Sequence, residues 1–188
     1  HMKKLNNFWY RNFYIASFIL IIFGLFLDPF SDIVSGLFNI VKSSSVLVSD
    51  YMEIGGLGAS YVNAGMMLLF TIILAQKCGA RLTGVLIAGM FTLTGFSFFG
   101  KNIINSIPLM IGVYLYTRLK GLKISNYMHV VCFVTGLSPV VSLFIFSLNF
   151  DLITGIILGI VVGILVELLL FPYQVQCSNS MMVTLFTM

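Results

Sequence analysis

The chain alternates between long apolar stretches and short polar or charged breaks. The first stretch runs from about Phe13 to Leu27 and ends at Asp28-Pro29, and Phe8, Trp9 and Tyr10 ahead of it suit the headgroup layer of a bilayer. From Ser31 to Gly58 the chain is too polar to cross lipid, with Asp32, Lys42, the Ser43-Ser44-Ser45 run, Asp50 and Glu53. Ile33, Val34, Leu37, Phe38 and Val41 nevertheless recur at helical spacing, which predicts a short amphipathic helix lying on the outer membrane surface. Further apolar stretches cover Ala59 to Ala75, Leu82 to Phe99, Ile103 to Thr117, Tyr127 to Phe146 and Leu152 to Phe171. Pro108 is expected to interrupt the fourth stretch early, Pro139 lies inside the fifth, and a tight connection at Asn149-Phe150-Asp151 precedes the sixth.

A helix crossing about 30 Å of hydrocarbon needs roughly 20 residues. The third and fourth stretches are short for that, so they either cross or form two half-spanning segments that meet near Lys101-Asn102. The pattern therefore predicts an all-α polytopic membrane protein with about six transmembrane helices and one interfacial helix, the segment from Leu82 to Thr117 being either two spans or a re-entrant pair. The expected organisation is a cytoplasmic N-terminus over residues 1–12, a transmembrane helical domain over 13–171 and a cytoplasmic tail over 172–188. His1-Met2 reads as a cloning remnant.

Composition supports lipid as the solvent. Hydrophobic residues make up 59% of the chain and charged residues 9%, against about 25% charged in a typical soluble domain. Six crossings place Lys3, Lys4, Arg11, Lys77, Arg81, Arg118, Lys120 and Lys123 on one side and only Lys42 and Lys101 on the other. The bias puts the N-terminus in the cytoplasm and the protein in a cytoplasmic membrane. Asp28, Asp32, Asp50, Glu53 and Asp151 then fall outside. The net charge of +4 forms no basic patch, so nucleic acid is not an expected partner. Cys78, Cys132 and Cys177 have neither CxxC spacing nor histidine partners, and His129 reads as an interfacial residue, so no metal site is expected. The first stretch lacks a small-x-small cleavage site and is expected to stay as an anchor. No nucleophile with an adjacent base, phosphate-cradling loop or HExxH pair occurs, so neither an enzyme nor a cofactor is expected.

Polar residues inside apolar runs are the candidates for function. Asn63, in the run Tyr61-Val62-Asn63-Ala64-Gly65, needs a partner because lipid offers none, and it reads equally as a pore or substrate contact and as an interhelical hydrogen bond. Tyr61 stands beside it. Thr94 and Ser97, like Thr92, are weaker candidates, because hydroxyls in membrane helices commonly bond their own backbone. Gly95-Phe96-Ser97-Phe98-Phe99-Gly100-Lys101-Asn102, followed by Asn105, is either an extracellular hairpin or a polar break at membrane depth of the kind that marks transporter sites. Ser138-Pro139 would free a backbone carbonyl and form a matching break, or be only a kink. Gly155, Gly159 and Gly163 recur at every fourth position and predict close helix packing, a spacing that Gly84 and Ala88 repeat more weakly.

Asp50-Tyr51-Met52-Glu53-Ile54-Gly55-Gly56-Leu57-Gly58-Ala59, the run through Asn63-Ala64-Gly65, GFSFFGKN (Gly95 to Asn102) and PLMIGVYLY (Pro108 to Tyr116) together resemble an uncharacterised family of bacterial polytopic membrane proteins, the domain of unknown function numbered fifteen seventy-six. The resemblance covers about Phe13 to Val166 and implies kinship without an activity. Members of that family are longer and look like two related halves, the second opened by a motif close to FHxGYxLYNxGF. From Glu167 this chain departs from the pattern, and the codons for Gln176 onward, read in a shifted frame, can encode M-F-K-F-H-D-G-Y-T-L-Y-N. The resemblance thus implies half of a protein with a frame-shifted tail, in which Glu167 is an accident of the slip and a homo-oligomer would restore the missing half.

Three functions fit these residues. The first is half of a small-solute channel or secondary transporter; the YVNAG-type motif is distantly similar to urea-transporter half repeats, which implies a small neutral solute. The second is a membrane-embedded binding subunit similar in length to the six-helix capture components of vitamin transporters, although the first helix lacks residues resembling their coupling motif. The third is a structural membrane protein, favoured if Asn63 and Lys101 bond only neighbouring helices.

Overall fold

The computed structural model describes residues 2–43, 49–148 and 151–186, with side chains described for residues 4–169 within that range except Ser147. Ser44-Ser45, Asn149-Phe150, Cys177 and the side chains of the 172–188 tail lie outside the described residues. Nine α-helices are described: α1 (Met2–Leu27), α2 (Phe30–Lys42), α3 (Tyr51–Gly55), α4 (Leu57–Lys77), α5 (Gly84–Phe96), α6 (Ile103–Leu119), α7 (Met128–Val134), α8 (Ser138–Ser142) and α9 (Leu152–Phe186). A 3-10 turn joins α7 to α8, and a π-helical turn, Leu143–Ser147, continues α8.

Among the described residues, four helical stretches are long and apolar enough to cross a membrane: Lys4–Leu27, Leu57–Lys77, Met128–Phe146 and Leu152–Leu169. Large apolar side chains point outward along them, with Phe26 84% and Ile153 69% exposed. Surfaces of that kind belong in lipid, so the chain is a helical membrane protein. Helices α5 and α6, with 13 and 17 residues, reach only about 20 and 25 Å at 1.5 Å per residue.

Small residues set the two most extensive helix packings. Helices α1 and α4 run antiparallel, with Gly24 against Gly58 and Val62, and Gly65 against Ser17 and Ile21. The Tyr10 hydroxyl donates to the Ala80 carbonyl at 2.9 Å at one end of this pair. At the other end Asp28 Oδ2 accepts from the Gly58 amide at 2.6 Å, so the residue that closes α1 satisfies an orphan N–H at the start of α4. Helices α6 and α9 run parallel, with Pro108 against Gly159 and Gly112 against Gly163, while Gly155 meets Ile145. Gly84 meets nothing within 4 Å, and it and Ala88 are exposed, so the weaker spacing in α5 builds no groove.

Pro108 does not interrupt α6, which runs through it. It leaves the carbonyl of Ile104, the second residue of the helix, without its i+4 donor, and the ring packs against Gly159. The amphipathic segment forms α2, but its Ile33, Gly36 and Ile40 face is buried against α3 and α4, while Phe30 and Phe38 stay exposed. Gly163→Leu, whose Cβ would meet the Leu109 carbonyl at 2.5 Å, should lower stability by about 1–3 kcal/mol through overpacking. Gly95→Ala, where an added methyl meets nothing within 4 Å, should raise it by about 0.5–1 kcal/mol. Thermal unfolding of both variants in detergent checks the pair, and similar losses in both would refute the packing argument.

Most of the basic residues, Lys42 and Lys101 excepted, collect at one end. Asn6 Oδ1 accepts from the Leu82 amide at 2.7 Å, joining the start of α1 to the α4–α5 loop with Lys77 and Arg81. Ser125 and Asn126, just beyond Lys120 and Lys123, share a cavity with Gly79 and Arg81. The acidic caps Asp28 and Asp50 lie toward the opposite end of α4.

Candidate functional site

Helices α5 and α6 form a hairpin whose connector, Ser97 to Asn102, has its polar side chains buried in the bundle while Phe99 stays exposed. Gly100 takes φ +94, a left-handed turn that favours glycine. Asn102 opens α6 with a reciprocal cap: its Oδ1 accepts from the Asn105 amide at 3.0 Å, and Asn105 Oδ1 accepts from the Asn102 amide at 2.9 Å. The helices thus stop and start within six residues by local chemistry alone.

Neighbouring elements supply the remaining partners. Asn63 Nδ2 of α4 donates to the carbonyls of Ser97 at 2.7 Å and Lys101 at 2.9 Å, clamping both ends of the connector. Asn105 Nδ2 donates to the Gly100 carbonyl at 2.9 Å and to Ser142 Oγ of α8 at 2.9 Å. Asn102 Nδ2 donates to the Tyr51 hydroxyl at 3.0 Å, and the Tyr51 amide donates to the Phe98 carbonyl at 3.1 Å. Asp50 and Phe99 form an isolated antiparallel bridge beside it. Asn63 lies six residues into α4, so the connector turns back about 9 Å short of that helix's end, with α3 laid over it.

Asn63, Ser97, Lys101, Asn102 and Asn105 are therefore brought together, each no more than 5% exposed. Ser138 joins them from α8: its hydroxyl donates to the Thr135 carbonyl at 2.6 Å and lies 2.8 Å from Ser106 Oγ of α6. Thr135 is the residue whose carbonyl Pro139 cannot serve, so the serine hydroxyl fills the gap left by the proline. Tyr61 and Thr94 remain apart from the cluster. Tyr61 packs edge-on between Phe23 and Phe98, at ring-centre distances of 4.9 and 5.1 Å. The hydroxyls of Thr92, Thr94 and Ser97 bond back to the carbonyls of Ala88, Met90 and Leu93. Tyr51, Ser106 and Ser142 were not legible as site residues; the Asp50 cap ahead of Tyr51 was the available signal for the first.

Lys101 stands out within the cluster. It is 2% exposed, and its ammonium lies 5.5 Å from the centre of the Phe96 ring, with the Cys132 side chain near enough for an electrostatic interaction. At the basic end a separate cavity of about 450 Å³ is lined by Gly79, Arg81, Thr83, Ser125, Asn126 and His129 among others. An apolar cleft of about 220 Å³ lies between α4, α6 and α7. No group of three or more potential metal ligands occurs among the described residues.

A helical membrane bundle holding a polar hairpin inside it is the class of protein these features define. Residues 30–182 match the family model described as Protein of unknown function (DUF1576), and the chain belongs to that family. No curated protein and no solved structure matches the chain.

Proposed function

We propose that the chain is one half of a small-solute channel or secondary transporter, with α5–α6 as a re-entrant hairpin whose tip forms the narrow site. The single observation behind this reading is the placement of the connector: polar, non-helical backbone held inside the bundle by Asn63 and Asn105. Irregular backbone at membrane depth is tolerated where it lines a cavity or is buried in protein, and transporter folds use it repeatedly. Both hairpin ends return to the basic end, so the pair leaves the sidedness of the four long helices unchanged. By the charge bias the basic end, with the N-terminus, faces the cytoplasm of a bacterial cell, and a second copy supplies the other half. The protein acts by passage and not by chemistry.

A structural membrane protein without substrate is the second reading. It is favoured by the fact that both hydrogens of the Asn63 amide are taken by the chain's own carbonyls.

Flux of small solutes into proteoliposomes tests the proposal. Wild-type protein should conduct well above empty liposomes, and Asn63→Ala, reconstituted only from its monodisperse folded fraction, should conduct less. No flux from well-folded wild-type protein would favour the structural reading.

A further inference from the structure

Hydrogen-bond donors in the hairpin tip are almost all engaged with the protein itself. Asn63 uses both amide hydrogens on the Ser97 and Lys101 carbonyls, and Asn105 uses both on the Gly100 carbonyl and Ser142. Asn102 donates to Tyr51, and the Ser97 hydroxyl to Leu93. Lys101 differs: among the described residues its ammonium has no hydrogen-bond acceptor and no carboxylate, only the Phe96 ring and the nearby Cys132. Glu167 alone contributes sealed side-chain polar atoms without a hydrogen bond among the described residues. Lys101 as a whole is 2% exposed.

A charge buried at this depth is costly unless it is paired. Ring contact offsets part of the cost, and the C-terminus of α5 beside it adds a favourable dipole, but neither accepts the three N–H donors of an ammonium. A ligand that completes this site accepts hydrogen bonds and carries negative charge. We infer that Lys101, at the buried tip of the α5–α6 hairpin, is the binding group for a small monovalent anion such as chloride or formate. One positive charge sets the valence, and a residue only 2% exposed leaves room for no more than a small ion. The inference deepens the solute-pathway reading by naming the solute class, in place of the neutral solute that the sequence pattern suggested.

The test is binding, measured apart from transport. Full-chain protein in detergent, in sodium gluconate, is titrated with sodium chloride, sodium formate and, as a neutral control, urea, while thermal unfolding is followed by Trp9 fluorescence. The wild-type midpoint should rise and saturate with chloride or formate and not with urea. In Lys101→Met the apparent affinity should fall about tenfold or more, the loss expected when a charged hydrogen-bond partner is removed. Should Lys101→Met fail to fold, Lys101→Arg serves instead and should keep saturable anion binding with altered chloride-to-formate preference. No saturable anion effect in the wild type, an unchanged one in Lys101→Met, or saturation by urea would overturn the inference. Anion binding without flux would keep this site and remove the transporter reading, whereas urea flux without anion binding would do the reverse.

Discussion

Asn63→Ala is expected to lower the stability of the folded bundle by about 2–5 kcal/mol, because it strips two buried carbonyls of their donor at once. The carbonyls of Ser97 and Lys101 sit at opposite ends of the connector, and the amide that serves both is only 5% exposed in the bundle interior. Asn63→Asp keeps the size but exchanges a donor for an acceptor facing two carbonyls, so it should be at least as damaging. The loss should appear as a lower unfolding midpoint and as faster proteolysis of the 97–102 connector. A change under about 1 kcal/mol, the scale of an ordinary exposed substitution, would mean that Asn63 does not hold the hairpin.

Glu167→Leu is expected to act in the opposite direction, raising stability by about 1–3 kcal/mol, the cost recovered when a buried polar group without a partner is removed. Glu167 continues the every-fourth-position stripe of Gly155, Gly159 and Gly163, which carries it onto the face of α9 that meets α6. It is fully buried, and neither carboxylate oxygen has a hydrogen-bond partner. Leucine fits the volume and removes the desolvated carboxyl. A drop in the unfolding midpoint for Glu167→Leu would show that the carboxylate makes an interaction the fold requires. Genomic DNA upstream of its codon tests separately whether a shifted reading frame placed the residue.

The long apolar helices were legible because each carries enough consecutive apolar residues to announce itself without its neighbours; α4 and the membrane part of α9 fall within two or three residues of the stretches read from composition. The hairpin was legible only as an ambiguity. Its residues are polar in the way that an exposed loop is polar, and nothing local to Gly100 or Asn102 announces that Asn63, more than thirty positions away, will cover the connector. Tyr51 was missed for the same reason: its role depends on Asn102, fifty-one positions later. Pro108 misled because its cost depends on position within the helix, and Gly159, which receives its ring, is distant in sequence.

The Ser138 hydroxyl, which also reaches the Thr135 carbonyl, shares a 2.8 Å hydrogen bond with the Ser106 hydroxyl, which in turn lies 3.4 Å from Asn105 Oδ1. The stretch of helix loosened by Pro139 is thereby tied, through two hydroxyls, to the start of α6 and hence to the hairpin tip. Raising or lowering the tip would pull on that tie and rewind the helix at its weakest point, with the π turn of Leu143–Ser147 next in line to absorb the slack. Motion at the Lys101 end would then reach the lipid-facing surface as a change of pitch in a neighbouring helix.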